Sequence, residues 1–216
     1  MNHEYYPAFI RLTGRPCLVV GGGGVAERKI LALLRAGAKV TVVSPTLTAG
    51  LRRKARSGEL IHRARGYRKG DLRGAFLVIA ATSEEAVNRR VHAEASCLVN
   101  IVDRPEYGNF IVPSTVRRGP LTLAISTSGR SPALARSIRR EIEGLYGAEF
   151  GSLLRCLEVV RRKVKERVKD PAERSRLLKE IASPEILAVL RTEGPDRAKT
   201  MVTRIAGRKM RGTQQS

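Results

Sequence analysis

Four consecutive glycines between an apolar run and a helical pattern constrain the fold of this chain more than any other feature. The apolar run 17–20 stops at Gly21, and a helical pattern begins at Val25. The spacing Gly21-x-Gly23-x-x-Ala26 fits the dinucleotide-binding turn, in which a small third residue lets the helix pack close to the strand. The first glycine permits the turn and the second lets the backbone approach a pyrophosphate, whose charge the free N–H groups at the helix start then face.

A complete strand–turn–helix–strand unit surrounds these glycines. The sequence predicts a helix over 25–36 with Gly37 as its C-cap, followed at once by a second strand over 39–43. The unit is finished within about thirty residues, as the dinucleotide-binding motif requires. A glycine-rich loop that binds nothing is the competing interpretation, and the regular elements on both sides of the turn count against it.

Short apolar segments alternate with helical patterns through the first half of the chain. Five strands are predicted at 17–21, 39–43, 60–63, 76–80 and 97–102, with helices at 25–36, 47–57 and 84–95. Alternation of this kind is typical of an α/β protein with a Rossmann-type parallel sheet. The fourth strand is apolar throughout, as expected of a strand that is covered on both faces.

The pattern changes after residue 103. Two strands (109–113 and 121–126), a turn between them (118–120) and a helix (132–146) are predicted there. Ser131 is the expected N-cap of that helix and Pro132 its first residue. Two strands and a helix are too small to be stable alone. We therefore expect a small α+β dimerisation region that a second copy of the chain completes in a homodimer.

From about residue 151 the chain is helical and charged. Apolar side chains keep roughly helical spacing over 153–164, Pro171 and Pro184 mark new helix starts, and the residues from Gly207 onward are expected to fray. The predicted domains are a Rossmann domain at 1–113, the dimerisation region at 114–150 and a helical C-terminal domain at 151–216.

The acid that often holds the ribose hydroxyls of NAD at the end of the second strand is missing. Ser44-Pro45-Thr46 occupies its place, and a hydroxyl bonds ribose less strongly than a carboxylate does. The basic residues 52–54 follow and could meet the 2′-phosphate of NADP, although the charge pattern favours a solvated helix face. The residues themselves leave the choice between NAD and NADP open.

Ligands of open parallel sheets lie beyond the carboxyl ends of the strands. Besides the glycine turn, Ala81 and Thr82 after the fourth strand and Asp103 after the fifth meet this condition. Asp103 is the acid directly at a strand end in this half, which makes it the candidate general base facing a nicotinamide. Capping of the turn before Pro105 is the alternative role, and the residues alone do not decide between the two.

A cluster of hydroxyls precedes the helix at 132–146. It combines side-chain hydroxyls, backbone N–H groups and a helix N-terminus, which together outline an anion site for a substrate that carries carboxylates. The predicted substrate-binding residues are Ser126, Thr127, Ser128, Arg130, Ser131 and Arg136. A serine-rich loop that only caps the helix is the alternative.

The net charge of +21 over 216 residues indicates an attraction for polyanions. Nucleic acid, an anionic membrane surface and a small polycarboxylate are the candidates. Nucleic-acid binding is not expected, because aromatic residues make up only 4% of the chain and no binding motif is present. No apolar run reaches the length of about eighteen residues that a membrane span needs, and the first residues lack a signal pattern, so we expect a cytoplasmic protein without membrane contact.

The cysteines and histidines do not have the spacing of metal ligands, so no metal site is expected. They are Cys17, Cys97, Cys156, His3, His62 and His92. The two cysteines in apolar strand-like runs read as small core residues.

Several of these segments occur together in one known family. The segments at 6–12, 20–29, 43–45, 80–82, 100–103, 109–113 and 126–136 resemble the precorrin-2 dehydrogenase/sirohydrochlorin ferrochelatase family of siroheme synthesis. The resemblance covers residues 1 to about 150, and the helical remainder is similar in length and character without a sharp motif. No single segment is specific, but their combination is.

The resemblance implies a fold and a reaction. The fold is an NAD-binding Rossmann domain, a swapped dimerisation region and a helical C-terminal domain, without the methyltransferase domain fused in some relatives. The reaction is the oxidation of precorrin-2, a tetrapyrrole with eight carboxylates, to sirohydrochlorin, with NAD as hydride acceptor. Some members also insert Fe(II) into sirohydrochlorin, and the residues do not settle whether this chain does.

The resemblance also implies roles for individual residues. Asp103 matches the aspartate that the family needs for catalysis, and Thr127 stands where a related member carries a serine in the substrate site. Gly24, Val25 and Pro45-Thr46 match the family's cofactor contacts. Together with the residues of the turn and the strand ends, the predicted cofactor contacts are Gly21, Gly22, Gly23, Gly24, Val25, Ser44, Pro45, Thr46, Ala81 and Thr82.

A nucleotide-sensing Rossmann module, such as a regulator of potassium transport, is the alternative function. Modules of that kind usually carry an acid after the second strand, so Ser44 counts against this interpretation.

Overall fold

The chain forms two compact units, which divide between Val112 and Pro113. The structure is a computed structural model that describes residues 5–212. Within these residues, no helix combines the length and the apolar character that crossing a membrane requires. The three-domain division predicted at residues 113/114 and 150/151 stays a prediction.

A five-stranded parallel sheet forms the centre of the first unit. Its strands are β1 (Pro16–Val20), β2 (Lys39–Val43), β3 (Leu60–Arg63), β4 (Leu77–Ala80) and β5 (Leu98–Ile101). Their order across the sheet is β3-β2-β1-β4-β5, with every neighbouring pair parallel. The Rossmann-type sheet predicted from the sequence is confirmed. The strand order reverses between β1 and β4, and the crevice at such a point is where open α/β sheets bind ligands.

Helices cover both faces of this sheet. They are α1 (Gly24–Arg35), α2 (Ala49–Arg56) and α3 (Glu85–Glu94). Ile30 of α1 and Leu51 of α2 are fully buried in one apolar cluster with Val42 of the sheet. Val91 of α3 lies in a second cluster with Val78. All four residues of β4 are buried, so the prediction of a strand covered on both faces is confirmed.

The strand predicted at 109–113 is wrong. The chain enters a short 3₁₀ helix at Pro105–Tyr107 and then runs irregularly beside β5. The side chain of Asn109 takes over the pairing that a strand would have made. Its Oδ1 accepts from the N–H of Val99 at 2.8 Å, and its Nδ2 donates to the carbonyl of Cys97 at 2.8 Å. An amide that satisfies the strand edge leaves no regular ladder for the segment, and Pro113 has no N–H to extend one.

An antiparallel hairpin and a helix open the second unit. The hairpin consists of β6 (Ser114–Arg118) and β7 (Leu121–Ile125), and the helix is α4 (Pro132–Leu145). Gly119 has φ +59 in the turn between the strands, a backbone conformation that favours glycine. The hydroxyl of Ser131 accepts from the N–H of Leu134 at 3.2 Å, so the predicted N-cap is confirmed.

Four helices with a common core complete the second unit. They are α5 (Ala148–Arg167), α6 (Pro171–Glu180), α7 (Pro184–Thr192) and α8 (Pro195–Gly212). The predicted helix starts at Pro171 and Pro184 are confirmed. The fraying predicted from Gly207 is wrong for 207–212, because α8 continues there and Met210 packs against the core one helical turn beyond the buried Ala206. Residues 213–216 lie outside the described part.

Candidate active site

The first two glycines of the turn are needed by the fold itself. Gly21 has φ +116, and its N–H donates to the carbonyl of Val43 at 2.9 Å. A Cβ on Gly21 would collide with the carbonyl oxygen of Ala81, and one on Gly22 would collide with that of Thr46. The turn is therefore wedged between the ends of β2 and β4, where no side chain fits.

The next two glycines face open space. No heavy atom of the described chain lies within 4 Å of where a Cβ of Gly23 or Gly24 would stand. Gly23 is the N-cap of α1, and Val25 in the first turn of the helix is 38% exposed. A bare backbone at an open helix N-terminus is the cradle that a diphosphate requires, so these residues fit a bound dinucleotide.

The loop after β2 is fixed beside this cradle. The buried Ser44 donates its hydroxyl proton to the carbonyl of Thr46 at 2.8 Å, and Thr48 N–H donates to the carbonyl of Gly22 at 3.1 Å. His62 of β3 contacts the Ser44 carbonyl through Nε2 at 2.9 Å. Ser44 therefore shapes the loop, with its proton already used, whereas Pro45 and Thr46 are exposed. Ribose binding by this segment stays a prediction.

The segment after β4 lies against the glycine turn. The N–H of Ala81 donates to the carbonyl of Val20 at 2.8 Å, which places Ala81 directly beside the first glycine. The amide of Asn88, buried in α3, donates to the carbonyl of Thr82 at 3.1 Å. Its Oδ1 is buried and has no partner among residues 5–212. Sequence reasoning missed Asn88, because an asparagine in a helix gives no signal of what it will hold.

Asp103 follows β5 at the same edge of the sheet. Its backbone has φ +63, a left-handed conformation that is unusual for a residue other than glycine. The carboxylate accepts no hydrogen bond within the described residues, which disfavours the alternative that it caps the turn. Strained backbone and a side chain kept out of local hydrogen bonds are common at functional sites. Its catalytic role stays a prediction.

Lys29 of α1 lies in the electrostatic field of Asp103, and no pattern in the sequence predicts that these two residues interact. Burial lowers the pKa of Lys29, the charge of Arg28 lowers it further, and the charge of Asp103 raises it. Lys29 lies one helical turn after Val25 on α1. Lys29 is therefore close enough to Asp103 to be affected by its charge.

A cluster of charged side chains lies at the end of β3, and no motif in the sequence predicts it. The carboxylate of Asp71, 4% exposed, accepts from Arg65 Nη1 and Nη2 at 2.7 Å each and from Arg63 Nη1 at 2.8 Å. The N–H of Arg68 adds a bond at 2.9 Å. The bonds from Arg65 are the main cause that lowers the pKa of Asp71 to about 2. Asp71 lies apart from Arg63 and Arg65 in the sequence, so only the fold shows that the three side chains meet.

Five of the predicted substrate residues form one turn before α4 in the second unit, and the sixth, Arg136, lies within α4. Ser126 Oγ accepts from the N–H of Ser128 at 2.9 Å, and Thr127 Oγ1 accepts from the N–H of Ser131 at 3.1 Å. Ser128 has φ +53. Ser126, Ser128, Arg130 and Arg136 are exposed. The hydroxyls thus order the loop, as the capping alternative expects, while the loop presents polar groups outward; substrate binding stays a prediction.

Within residues 5–212, no group of three or more His, Cys, Asp or Glu side chains is arranged to hold a metal ion. Cys17 is buried, and burial raises its pKa to about 11, as expected of a core thiol. His3 lies outside the described residues.

Comparison with known proteins agrees with this geometry. Residues 8–114 match the family model described as putative NAD(P)-binding, and residues 118–145 match that of the sirohaem biosynthesis protein central region. The siroheme synthase of Methylobacillus flagellatus is 47% identical over 76% of this chain, and that of Thioalkalivibrio sulfidiphilus is 44% identical over 80%. The match covers 36% of each relative, so this chain spans little more than a third of their length.

A solved structure matches over a larger part of the chain. The protein named SirC, precorrin-2 dehydrogenase, superposes with a TM-score of 0.80 at 30% sequence identity. The match covers 93% of this chain and 100% of that one. The resemblance read from the sequence motifs is therefore confirmed, and the chain belongs to the precorrin-2 dehydrogenase family of siroheme biosynthesis.

Proposed function

We propose that this protein oxidises precorrin-2 to sirohydrochlorin with NAD as the hydride acceptor, as a step of siroheme synthesis. The observation that carries the proposal is the match along the whole length of a precorrin-2 dehydrogenase, combined with a glycine cradle open to a diphosphate. The cradle supports a dinucleotide as cofactor, and the family supports the substrate.

The chemistry requires that precorrin-2 lose a hydride and a proton. NAD, when bound, supplies the nicotinamide that takes the hydride. Asp103 at the edge of the sheet takes the proton, since no residue of the described part of the chain donates a hydrogen bond to its carboxylate. Lys29 presents a positive charge in the field of that carboxylate. A carboxylate that accepts protons from pyrrole nitrogens could also serve iron insertion, but no observation on this chain favours that second activity, and it stays a prediction.

The polar turn before α4 is the proposed site for substrate carboxylates. Arg130 is exposed in this turn and Arg136 is exposed on α4, beside hydroxyls and a helix N-terminus. The net charge of +21 attracts a polyanion over a longer range. Neither nucleic acid nor a membrane surface is needed to account for this charge.

A homodimer in the cytoplasm completes the proposal. In α4 only Ala135 is buried, whereas Leu134 is 52% and Leu145 60% exposed. Leu121 of the hairpin packs against the core of α5–α8, but these apolar side chains of α4 stay exposed in the described part of the chain, so a second copy of this surface is the proposed cover.

The test is a spectroscopic assay with purified protein, precorrin-2 and NAD. The account expects the absorbance of reduced nicotinamide to rise with protein concentration, and to stay flat when precorrin-2 is omitted. Binding of NAD without any turnover would contradict the dehydrogenase proposal and support the alternative of a nucleotide-sensing module. Failure to bind NAD at all would contradict both.

A further inference from the structure

The ion cluster around Asp71 lies where a Rossmann fold distinguishes its cofactors. Val43 at the end of β2 pairs with Arg63 at the end of β3, and the N–H of Ser44 donates to the carbonyl of Arg63 at 3.2 Å. The residue that follows β2 is the one that meets the adenosine ribose in this fold. Arg63 therefore ends the strand next to the ribose position, and Arg65 follows two residues later.

The usual discriminating groups are absent from the loop after β2. Ser44 replaces the acid that selects NAD, and its proton is engaged with Thr46. Two of the four basic residues of α2 are also engaged, because Arg52 donates to the carbonyl of Leu47 at 2.9 Å and Lys54 pairs with Glu59 at 2.7 Å. Arg53 and Arg56 are the other two, and both are exposed. With no acid after β2, the choice between a ribose hydroxyl and a 2′-phosphate depends on side chains outside this loop as well.

Asp71 holds the two arginines that a 2′-phosphate would attract. Their guanidinium groups reach the surface, with Arg63 44% and Arg65 30% exposed, while the carboxylate that binds them is 4% exposed. Arg65 binds in the bidentate geometry that guanidinium also uses with phosphate. The two N–H donors of Arg65 that a phosphate would use are therefore already bonded to Asp71.

We propose that Asp71 is a specificity-determining residue, which keeps Arg63 and Arg65 in an internal ion cluster and thereby makes the site prefer NAD to NADP. The inference rests on the proposed function, because it takes the glycine cradle to bind a dinucleotide. The cluster carries one negative and two positive charges, and both guanidiniums are bonded to Asp71, so a 2′-phosphate in this site gains no new pairing from Arg63 or Arg65. A ribose with a free 2′-hydroxyl needs no such pairing.

The cluster also joins the segment after β3 to the strand, so a purely structural role must be separated from a role in specificity. If the cluster only holds this segment in place, its loss weakens the binding of NAD and NADP by the same factor. Loss of the specificity device changes the ratio of their dissociation constants. The ratio is therefore the quantity to measure, and it requires no substrate turnover.

The experiment is calorimetric titration of NAD and NADP into the full chain and into Asp71→Asn. The amide of Asn can still accept from the N–H of Arg68, but it carries no negative charge to bind the two guanidiniums. The account expects the ratio of dissociation constants to shift towards NADP by about tenfold or more, the factor of one charge-assisted hydrogen bond. Adding Arg63→Met and Arg65→Met to Asp71→Asn should abolish that shift.

Glu193→Gln is the matched control, since it also removes one negative charge and frees one cation, Arg197, in the second unit. It should leave the ratio unchanged. An unchanged ratio in Asp71→Asn, or an equal shift in Glu193→Gln, would overturn the inference while leaving NAD binding by the parent protein intact. Loss of all dinucleotide binding in the parent protein would instead contradict the proposed function.

Arg65→Met alone keeps the inference testable if Asp71→Asn does not fold. The preference for NAD should not change in this variant, because the guanidinium that it removes already belongs to Asp71. A selective loss of NADP affinity would show that Arg65 is available to a phosphate and would overturn the inference.

Discussion

The two units of the molecule differ in how completely each buries its own sheet. In the first unit, helices cover both faces of the five strands, and β4 is buried at every position. In the second unit, Val116 is the one fully buried residue of the hairpin β6–β7, although α5–α8 share a core. The first sheet is complete within one chain, whereas α4 leaves the apolar side chains of Leu134 and Leu145 exposed.

The largest effect is expected in the complete unit, at its glycine turn. Gly21→Ala places a methyl group against the carbonyl of Ala81 and forces alanine into φ +116. We expect it to lower the free energy of unfolding by about 3 kcal/mol or more, measured by urea denaturation.

Gly23→Ala is the matched variant in the same turn, because a methyl group there meets open space. It should leave the free energy of unfolding within about 1 kcal/mol of the parent, yet weaken NAD binding, because the methyl group would occupy the open space proposed for the diphosphate. Equal losses of stability in the two variants would contradict the distinction between glycines that the fold needs and glycines that the ligand needs.

The next largest effect is expected in the second unit, on the oligomeric state of the protein. Leu134→Glu introduces a charge on the exposed apolar side of α4, so we expect a dimer to become a monomer in light-scattering chromatography. Leu187→Glu on α7, also an exposed apolar position, should leave the dimer intact. A parent protein that elutes as a monomer would contradict the idea that this unit needs a partner.

A smaller effect is expected from pH in the first unit. The pKa of Asp71 falls from 3.8 to about 2 on folding, so its ion cluster stabilises the protein above about pH 4 and loses this contribution as the pH falls towards 2. The shift corresponds to about 2 kcal/mol at neutral pH. Urea unfolding of the parent and Asp71→Asn should differ most near neutral pH and converge in acid. A difference that is independent of pH would contradict this assignment.

Local periodicity predicted most of the fold. The sheet, the three helices on it, and the helix starts at Ser131, Pro171 and Pro184 follow from patterns within short segments, and the structure has them within a few residues. The segment at 109–113 misled because its apolar residues look like a strand, whereas the amide of Asn109 occupies the edge of β5.

The candidate site could be predicted only where a single segment carries it. The glycine turn and Asp103 are recognisable because strand ends converge in a parallel sheet. Lys29, Asn88 and Asp71 could not be predicted, because each acts through a residue that the fold brings close from elsewhere in the chain. The sequence predicts Ser44 as a cofactor contact, yet only the fold shows that its hydroxyl proton is engaged with Thr46.

The most direct test of the central claim is single-turnover oxidation of precorrin-2 by Asp103→Asn saturated with NAD. The account predicts an NAD dissociation constant within about twofold of the parent, since the Asp103 carboxylate accepts no hydrogen bond from residues 5–212, and a rate of hydride transfer lower by about a hundredfold or more. Normal turnover in Asp103→Asn would show that another group takes the proton and would contradict the account.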